Sequence, residues 1–515
     1  MSTPSVEATL QQENTLGFSK IDRCLFVVIA VSLVFRLFFM GSSDLLVEEA
    51  YYWNYAQHLD FGYLDHPPMV ALLIKLSTTL LGNTSLGIRI TSIVCWLIMA
   101  FFSFKLSNLI QRGSGRYCLF FLSMLPFFFL QSLVITPDQP LVACWSAALY
   151  CLYRSIVLNE AKYWYAVGVC LGLGMISKYT IALLGPATLL YLGVVPSARQ
   201  WFSRKEPYIA VFIATLFFTP VLYWNATHDW ASFVFQGSRR LESDFYFSFH
   251  HFIGLLIVFL FPPGIWSLWR LMRGNLADVI GIKQNTKRFF QIYALAPLAV
   301  FALFSLRHPI KFDWIGPPLL ALIPWLAVVF VHKLNCMPNR IVRYWLIDAA
   351  ISTPLYAIMI MTIAFGTPEV LNHMFLRKFI DWRQLTQQFN DTALQIERES
   401  QVSPIFVSLE TYNISSEFTF YQNDLAHHGE IQKQFPIVGR HIFNMESLMY
   451  RYWADATDLS GKTLILISTD LHEFQNRKVI PHIVDESPIK TIWAQSQGRG
   501  KSVQPYYYRI VKYVK

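Results

Sequence analysis

Glu48 and Glu49 are adjacent carboxylates in the run Val47-Glu48-Glu49-Ala50-Tyr51-Tyr52-Trp53, directly after the first apolar span of the chain. Acidic pairs at a lipid face are expensive to place and mark chemistry or ion binding rather than packing. A carboxylate in such a place can take the proton of an attacking hydroxyl. The following run, Gly62-Tyr63-Leu64-Asp65-His66-Pro67-Pro68, adds a third carboxylate, an imidazole and a rigid diproline. Charged groups recur at the ends of later spans: Asp138 in Thr136-Pro137-Asp138-Gln139-Pro140, Lys178 in Ser177-Lys178-Tyr179, Arg239 and Arg240 in the 226–251 loop, and Lys311 in Arg307-His308-Pro309-Ile310-Lys311-Phe312-Asp313-Trp314. Basic side chains hold phosphate, Arg as a bidentate fork and Lys as a point charge. Carboxylates and cations together suit group transfer from a lipid phosphate to an acceptor. Plainer roles stand beside these: Asp138 as a turn residue or helix N-cap, and Lys178 as a snorkelling cation with Tyr179 as its aromatic anchor.

The elements that must position these groups are membrane spans. Of 515 residues, 54% are hydrophobic, 16% aromatic and only 15% charged, and the mean hydropathy is +0.38. That composition predicts a polytopic α-helical membrane protein. The apolar runs predict about 11 spans (range 10–13), near 24–41, 87–108, 117–135, 139–157, 163–177, 180–196, 208–225, 252–272, 289–306, 314–332 and 344–365. Residues 1–23 form a polar segment ahead of an uncleaved first anchor. With the N-terminus inside, 17 Lys and Arg residues fall on inner flanks and seven on the outer loops of the membrane part. The net charge of +9 therefore reflects topology, not nucleic-acid binding. The seven outer cations (Lys75, Arg89, Lys178, Arg239, Arg240, Arg307 and Lys311) are open to headgroup contact or to an anionic substrate.

The first outer loop, 42–86, is too long for a turn. Residues 48–58 and 68–81 read as helices, the second apolar but too short to span and so lying in the membrane plane. Residues 24–371 thus form the membrane domain. Past 371 no stretch is long and apolar enough to cross. The runs Ile405-Phe406-Val407-Ser408-Leu409 and Thr463-Leu464-Ile465-Leu466-Ile467 read as strands, so 372–515 is expected to be a soluble α/β domain. An odd span count places it outside. All seven Cys lie in the membrane part, with no CxxC and no metal-type Cys/His spacing, and the chain has no Walker A or GxGxxG motif.

Glu48-Glu49-Ala50-Tyr51-Tyr52-Trp53, Tyr63-Leu64-Asp65-His66-Pro67-Pro68, Gly87-Ile88-Arg89, Thr136-Pro137-Asp138 and Ser177-Lys178-Tyr179 together resemble the GT-C glycosyltransferases. More narrowly they resemble the bacterial branch related to protein O-mannosyltransferases and to lipid A aminoarabinose and galacturonic acid transferases. Tyr412, Ser416, Glu417, Phe418, Tyr421 and Gly439-Arg440 resemble the periplasmic part of some members. The resemblance implies an inverting transfer of a sugar from a polyprenyl (undecaprenyl) phosphate donor on the outer face of the inner membrane. Lipid A or lipopolysaccharide core is the first acceptor it suggests, and a protein acceptor the second. The family's acidic pair is usually Asp-Glu with the first member catalytic, so Glu48 takes that place here and Glu49 is the alternate. Where the aminoarabinose branch typically has Lys, this chain has His66, a weaker and pH-dependent cation. Arg239, Arg240, Lys178, Lys311 and His66 are the candidates for the donor phosphate, and Asp138 lines the acceptor side. Asp65 and Glu49 either orient His66 and Arg89 or hold a divalent metal. No other cofactor is implied. A transporter of the lipid-linked sugar, with the same charges and no bond formation, is the competing reading.

Overall fold

The computed structural model describes residues 20–242, 244–260, 263–272, 282–336, 354–355, 380–454, 459–496 and 502–515. Five of its helices are long and apolar enough to cross a membrane: Leu25–Ser42, Ser85–Ile110, Asp138–Val157, Glu206–Thr227 and Gln284–Ser305. Three further candidates are bent pairs, Gly115–Met124 with Pro126–Leu133 (75°), Tyr179–Val194 with Pro196–Ser203 (116°) and Phe312–Leu319 with Leu322–His332 (52°). The described residues therefore hold five to eight candidate spans.

The bends explain why continuous apolar runs do not give continuous helices. Leu125 is extended before Pro126, and Val195 before Pro196, because a proline ring excludes the helical conformation from the residue ahead of it. Pro317 and Pro318 lie inside the Phe312–Leu319 helix and remove two N–H donors from its last turn. The expected span at 163–177 is a helix of only 13 residues, Tyr163–Met175, short of the ~20 that a bilayer core needs. It lies so close to Glu206–Thr227 that a Cβ on Gly168 would stand 2.6 Å from the Ala210 carbonyl oxygen. Such glycines let helix backbones touch where apolar burial gives no drive. The expected 252–272 span is two helices, Phe249–Leu260 and Pro263–Met272. The expected span at 344–365 lies outside the described residues apart from 354–355.

The first outer loop forms two helices, Val47–Gln57 and Met69–Leu81. The 226–251 loop carries two short ones, Ala231–Gln236 and Ser238–Leu241.

From residue 380 the chain builds a six-stranded sheet in the order β2-β1-β3-β6-β4, with β5 also pairing β6. The strands are β1 Ile405–Ser408, β2 Ile437–Gly439, β3 Thr463–Ser468, β4 Ile483–Val484, β5 Lys490–Gln495 and β6 Ser502–Tyr513. β1 pairs parallel with β2 and β3, and β6 runs antiparallel to β3, β4 and β5. Helices Trp382–Ser400 and Asn413–His427 pack on this sheet through Phe389, Phe406 and Phe418.

That packing does not stop at the sheet. One continuous apolar cluster runs from Phe406, Ile465 and Tyr508 through Phe418 and Tyr421 to Tyr51, Trp53 and Tyr55 of the outer loop. Polar bonds pin the same contact: the Leu45 N–H donates to the Tyr421 hydroxyl (3.1 Å), and Asn54 Nδ2 to the Ser416 carbonyl (3.3 Å). The helix that carries the acidic pair is therefore held from both sides, by the membrane bundle and by the sheet unit.

Candidate active site

Consecutive helical residues point about 100° apart, and this alone separates the two glutamates. Glu49 faces inward, 0% exposed. Its Oε1 accepts from Arg89 Nε (2.8 Å) and from the Ile135 N–H (3.1 Å). Its Oε2 accepts from Arg89 Nη2 (2.6 Å) and from the Leu46 N–H (3.0 Å), the last being half of a capping box. Arg89, equally buried, spends its other donors on the carbonyls of Ser43 (2.9 Å) and Asp44 (2.6 Å) and on Ser43 Oγ (2.8 Å). Glu49 thus grips Arg89 through both of its oxygens. With all its acceptor positions used, it has no capacity left for a metal. Glu48, in the first turn of the same helix, is exposed and makes no hydrogen bond or ion pair among the described residues.

Three further groups converge on the loop. Asp65 is buried, and its carboxylate accepts from the hydroxyls of Tyr51 (3.1 Å) and Tyr55. Burial pushes the Asp65 carboxyl up, against the two tyrosine hydrogen bonds and the Lys311 ammonium. His66 packs edge-on against Tyr52 with ring centroids 5.8 Å apart. The Tyr52 hydroxyl, raised first by burial, also feels Asp65, Asp138 and Glu48, so these carboxylates surround one space. The Ile135 N–H that bonds Glu49 leads directly into the Thr136-Pro137-Asp138 turn.

Lys178 does not stand free for a phosphate. Its ammonium lies 2.8 Å from Asp138 and 2.5 Å from Asp313, so two carboxylates already neutralise it. Tyr179 bonds Ser232 Oγ at 2.8 Å, tying the start of the Ala231–Gln236 helix to the bundle. Arg239 is exposed and forks onto Glu446 of the sheet unit (2.8 Å for one arm). The Arg240 side chain lies outside the described residues. Lys311 is exposed and acts electrostatically on both Asp65 and Asp313, which makes it the cation best placed toward the carboxylates. Among the described residues no group of three or more His, Cys, Asp or Glu side chains is arranged to hold a metal ion.

Sequence reasoning passed over Asp313, Tyr51, Tyr55 and Glu417 as members of this constellation. Asp313 had a signal, a carboxylate at the head of an apolar run just as Asp138 is. Tyr51 and Tyr55 had none, because nothing local in the sequence shows that their hydroxyls meet Asp65. Glu417 is fully buried with both carboxylate oxygens unpartnered among the described residues. Burial, then Asp44, Glu49 and Glu48, push it well above the usual carboxylate range.

The chain is similar to known proteins in sequence and in fold. The profile of the dolichyl-phosphate-mannose-protein mannosyltransferase family matches residues 65–224, which include Asp65, Arg89, Asp138 and Lys178 but not the acidic pair. The apo structure of ArnT from Cupriavidus metallidurans superposes with a TM-score of 0.62 at 12% identity, over 95% of this chain and 98% of that one. The two chains share one fold. The undecaprenyl phosphate-bound form of ArnT gives the same picture, with a TM-score of 0.61 at 12% identity over 94% and 97% of the two chains. An oligosaccharyltransferase from Archaeoglobus fulgidus superposes with a TM-score of 0.50 at 12% identity over 77% of this chain and 63% of that one. In sequence, the lipid A galacturonosyltransferase RgtD of Rhizobium johnstonii is 26% identical over 255 residues, 46% of this chain and 52% of RgtD. The match thus spans about half the length of that curated relative. Over that stretch the chain is similar in sequence to a lipid A-modifying enzyme.

Proposed function

We propose that the protein transfers a sugar from a polyprenyl phosphate donor to lipid A or lipopolysaccharide core at the outer face of the inner membrane. In this reading the N-terminus is cytoplasmic and residues 372–515 are periplasmic. The observation that carries the proposal is the division within the acidic pair: Glu49 saturated by Arg89 and two backbone N–H groups, Glu48 open to solvent beside it. The acceptor oxygen attacks the anomeric carbon as the bond to the polyprenyl phosphate breaks, with inversion. Glu48 accepts the proton of a hydroxyl acceptor, or orients an acceptor phosphate that carries none. Lys311 and His66 stabilise the departing phosphate, the electrostatic part of catalysis. RgtD's acceptor and the undecaprenyl phosphate bound to ArnT agree with this choice of substrates.

The test is mass spectrometry of lipid A and core from a deletion strain rescued with wild type or with Glu48→Gln. A sugar mass absent from the deletion and from the Gln rescue, and restored by wild type, supports the reading. An envelope unchanged in all strains rejects it in favour of a protein acceptor or a transporter.

A further inference from the structure

Between the Ala231–Gln236 and Ser238–Leu241 helices and residues 441–452 of the sheet unit lies an open cleft of about 560 Å³. Its walls are of two kinds. Leu64, Phe235, Leu448 and Tyr452 give it apolar surface, and Arg239 and Arg451 give it charge. Arg239 is held at the edge by Glu446, whereas the Arg451 guanidinium makes no hydrogen bond or ion pair among the described residues. The one acid in the wall is thus matched, and one guanidinium is left over.

The cleft is joined to the constellation around Glu48. The Leu64 N–H donates to Met449 Sδ (3.1 Å), and the Met449 N–H donates to the Tyr51 hydroxyl (3.3 Å), which in turn bonds Asp65 (3.1 Å). A ligand in the cleft therefore presses on the same loop that presents Glu48.

We propose that this cleft seats the anionic headgroup of the acceptor glycolipid, with Arg451 as the guanidinium that pairs with its phosphate. The proposal rests on the transfer reading above and adds the acceptor's place. The volume fits a sugar headgroup, within the 300–1,000 Å³ usual for small-ligand sites, and far exceeds what one phosphate needs. The sheet unit supplies half of the wall, and its described residues contain no helix that could cross a membrane. That favours a headgroup projecting into water over the donor's polyprenyl chain, which must stay in lipid. An unpaired guanidinium over apolar surface matches a phosphorylated sugar, where a bidentate charge-assisted bond is available.

The experiment uses the full chain in detergent, with bisphosphoryl lipid A, monophosphoryl lipid A and undecaprenyl phosphate as probes. Binding is read by native mass spectrometry on Glu48→Gln protein, and transfer on otherwise wild-type protein. Arg451→Ala is expected to weaken bisphosphoryl lipid A about tenfold, as for loss of one hydrogen bond to a charged group. It should weaken the monophosphoryl form less than about threefold and leave undecaprenyl phosphate and the melting temperature unchanged, with Arg451→Lys intermediate. Lipid A binding within twofold of the parent, or a loss of undecaprenyl phosphate binding instead, overturns the assignment. Arg451-dependent binding without sugar transfer to lipid A by wild type refutes the transfer reading and leaves the cleft standing. Transfer that is indifferent to Arg451 does the reverse, and a parent protein that binds no lipid A refutes both.

Discussion

Replacing Glu49 by Gln and Glu48 by Gln are the same chemical change one residue apart, and the structure predicts opposite outcomes. Each Glu49 oxygen accepts two N–H donors, one from Arg89 and one from the backbone, at 2.6–3.1 Å. A Gln amide keeps one of these oxygens and turns the other into a donor. Whichever way the amide flips, its NH2 meets one guanidinium N–H and one backbone N–H, so two hydrogen bonds are lost and Arg89 stays buried without its counter-charge. Breaking one side of a buried ion pair costs about 3–5 kcal/mol. Chains of about 150–250 residues lose ~2–4 °C per kcal/mol and longer chains less, so the Glu49→Gln midpoint should fall by roughly 5–10 °C. Glu48→Gln changes a solvent-facing group with no partner and should stay within about 0.5 kcal/mol of wild type, while losing turnover. The assay is thermal unfolding of both purified variants in one detergent, followed by transfer at a temperature where both are folded. A Glu49→Gln protein as stable as wild type, or a Glu48→Gln protein with wild-type turnover, refutes the division of roles.

Two other outcomes follow from buried or half-buried charge. Lys178→Met leaves Asp138 and Asp313 facing each other without the ammonium they share, and should destabilise by about 3–5 kcal/mol; adding Asp313→Asn should recover part of this. A Lys178→Met protein that melts like wild type but no longer binds undecaprenyl phosphate would mean that Lys178 serves the donor after all. Burial, then Asp381, pushes Asp44 up to about 7, with Arg89 and Arg383 opposing and Asp424 adding to it. An acid raised on folding binds more protons folded than unfolded, so stability falls as pH climbs from about 4 to the folded value near 7 and is flat above it. Melting temperature should therefore decline from pH 5 to 7, and Asp44→Asn should flatten that decline; an unchanged slope in the variant rejects the assignment to Asp44.

How much of this was legible follows from what each signal depends on. Apolar length located the helices, because burial in lipid depends on composition summed along a run. It did not locate the breaks at Pro126 and Pro196 or the shortness of Tyr163–Met175, which turn on single residues and on how closely neighbours approach at Gly168. The strand pair at Ile405 and Thr463 showed as short β-branched runs and recurs as neighbouring parallel strands. The charged candidates were legible as types but not as partners. Lys178 reads from sequence as a free cation, and only the fold brings Asp138, 40 residues away, and Asp313, 135 away, to the same ammonium. Tyr51 and Tyr55 likewise went unread as partners of Asp65, which they reach only through the loop's own fold.

The buried charges also explain why one acid among several is left for chemistry. Asp44, Glu48, Glu49 and Glu417 act on one another across the contact between the outer loop and the sheet unit, with Arg89 the cation at their centre. Glu49 consumes the charge of Arg89. Glu417, buried with neither oxygen partnered among the described residues, is pushed well above the usual carboxylate range by burial, and Asp44 is pushed up to about 7. A second fixed anion beside Glu48 would repel a phosphate donor and compete for the proton. Burying the sheet-unit helix Asn413–His427 against Val47–Gln57 removes that competition by desolvation.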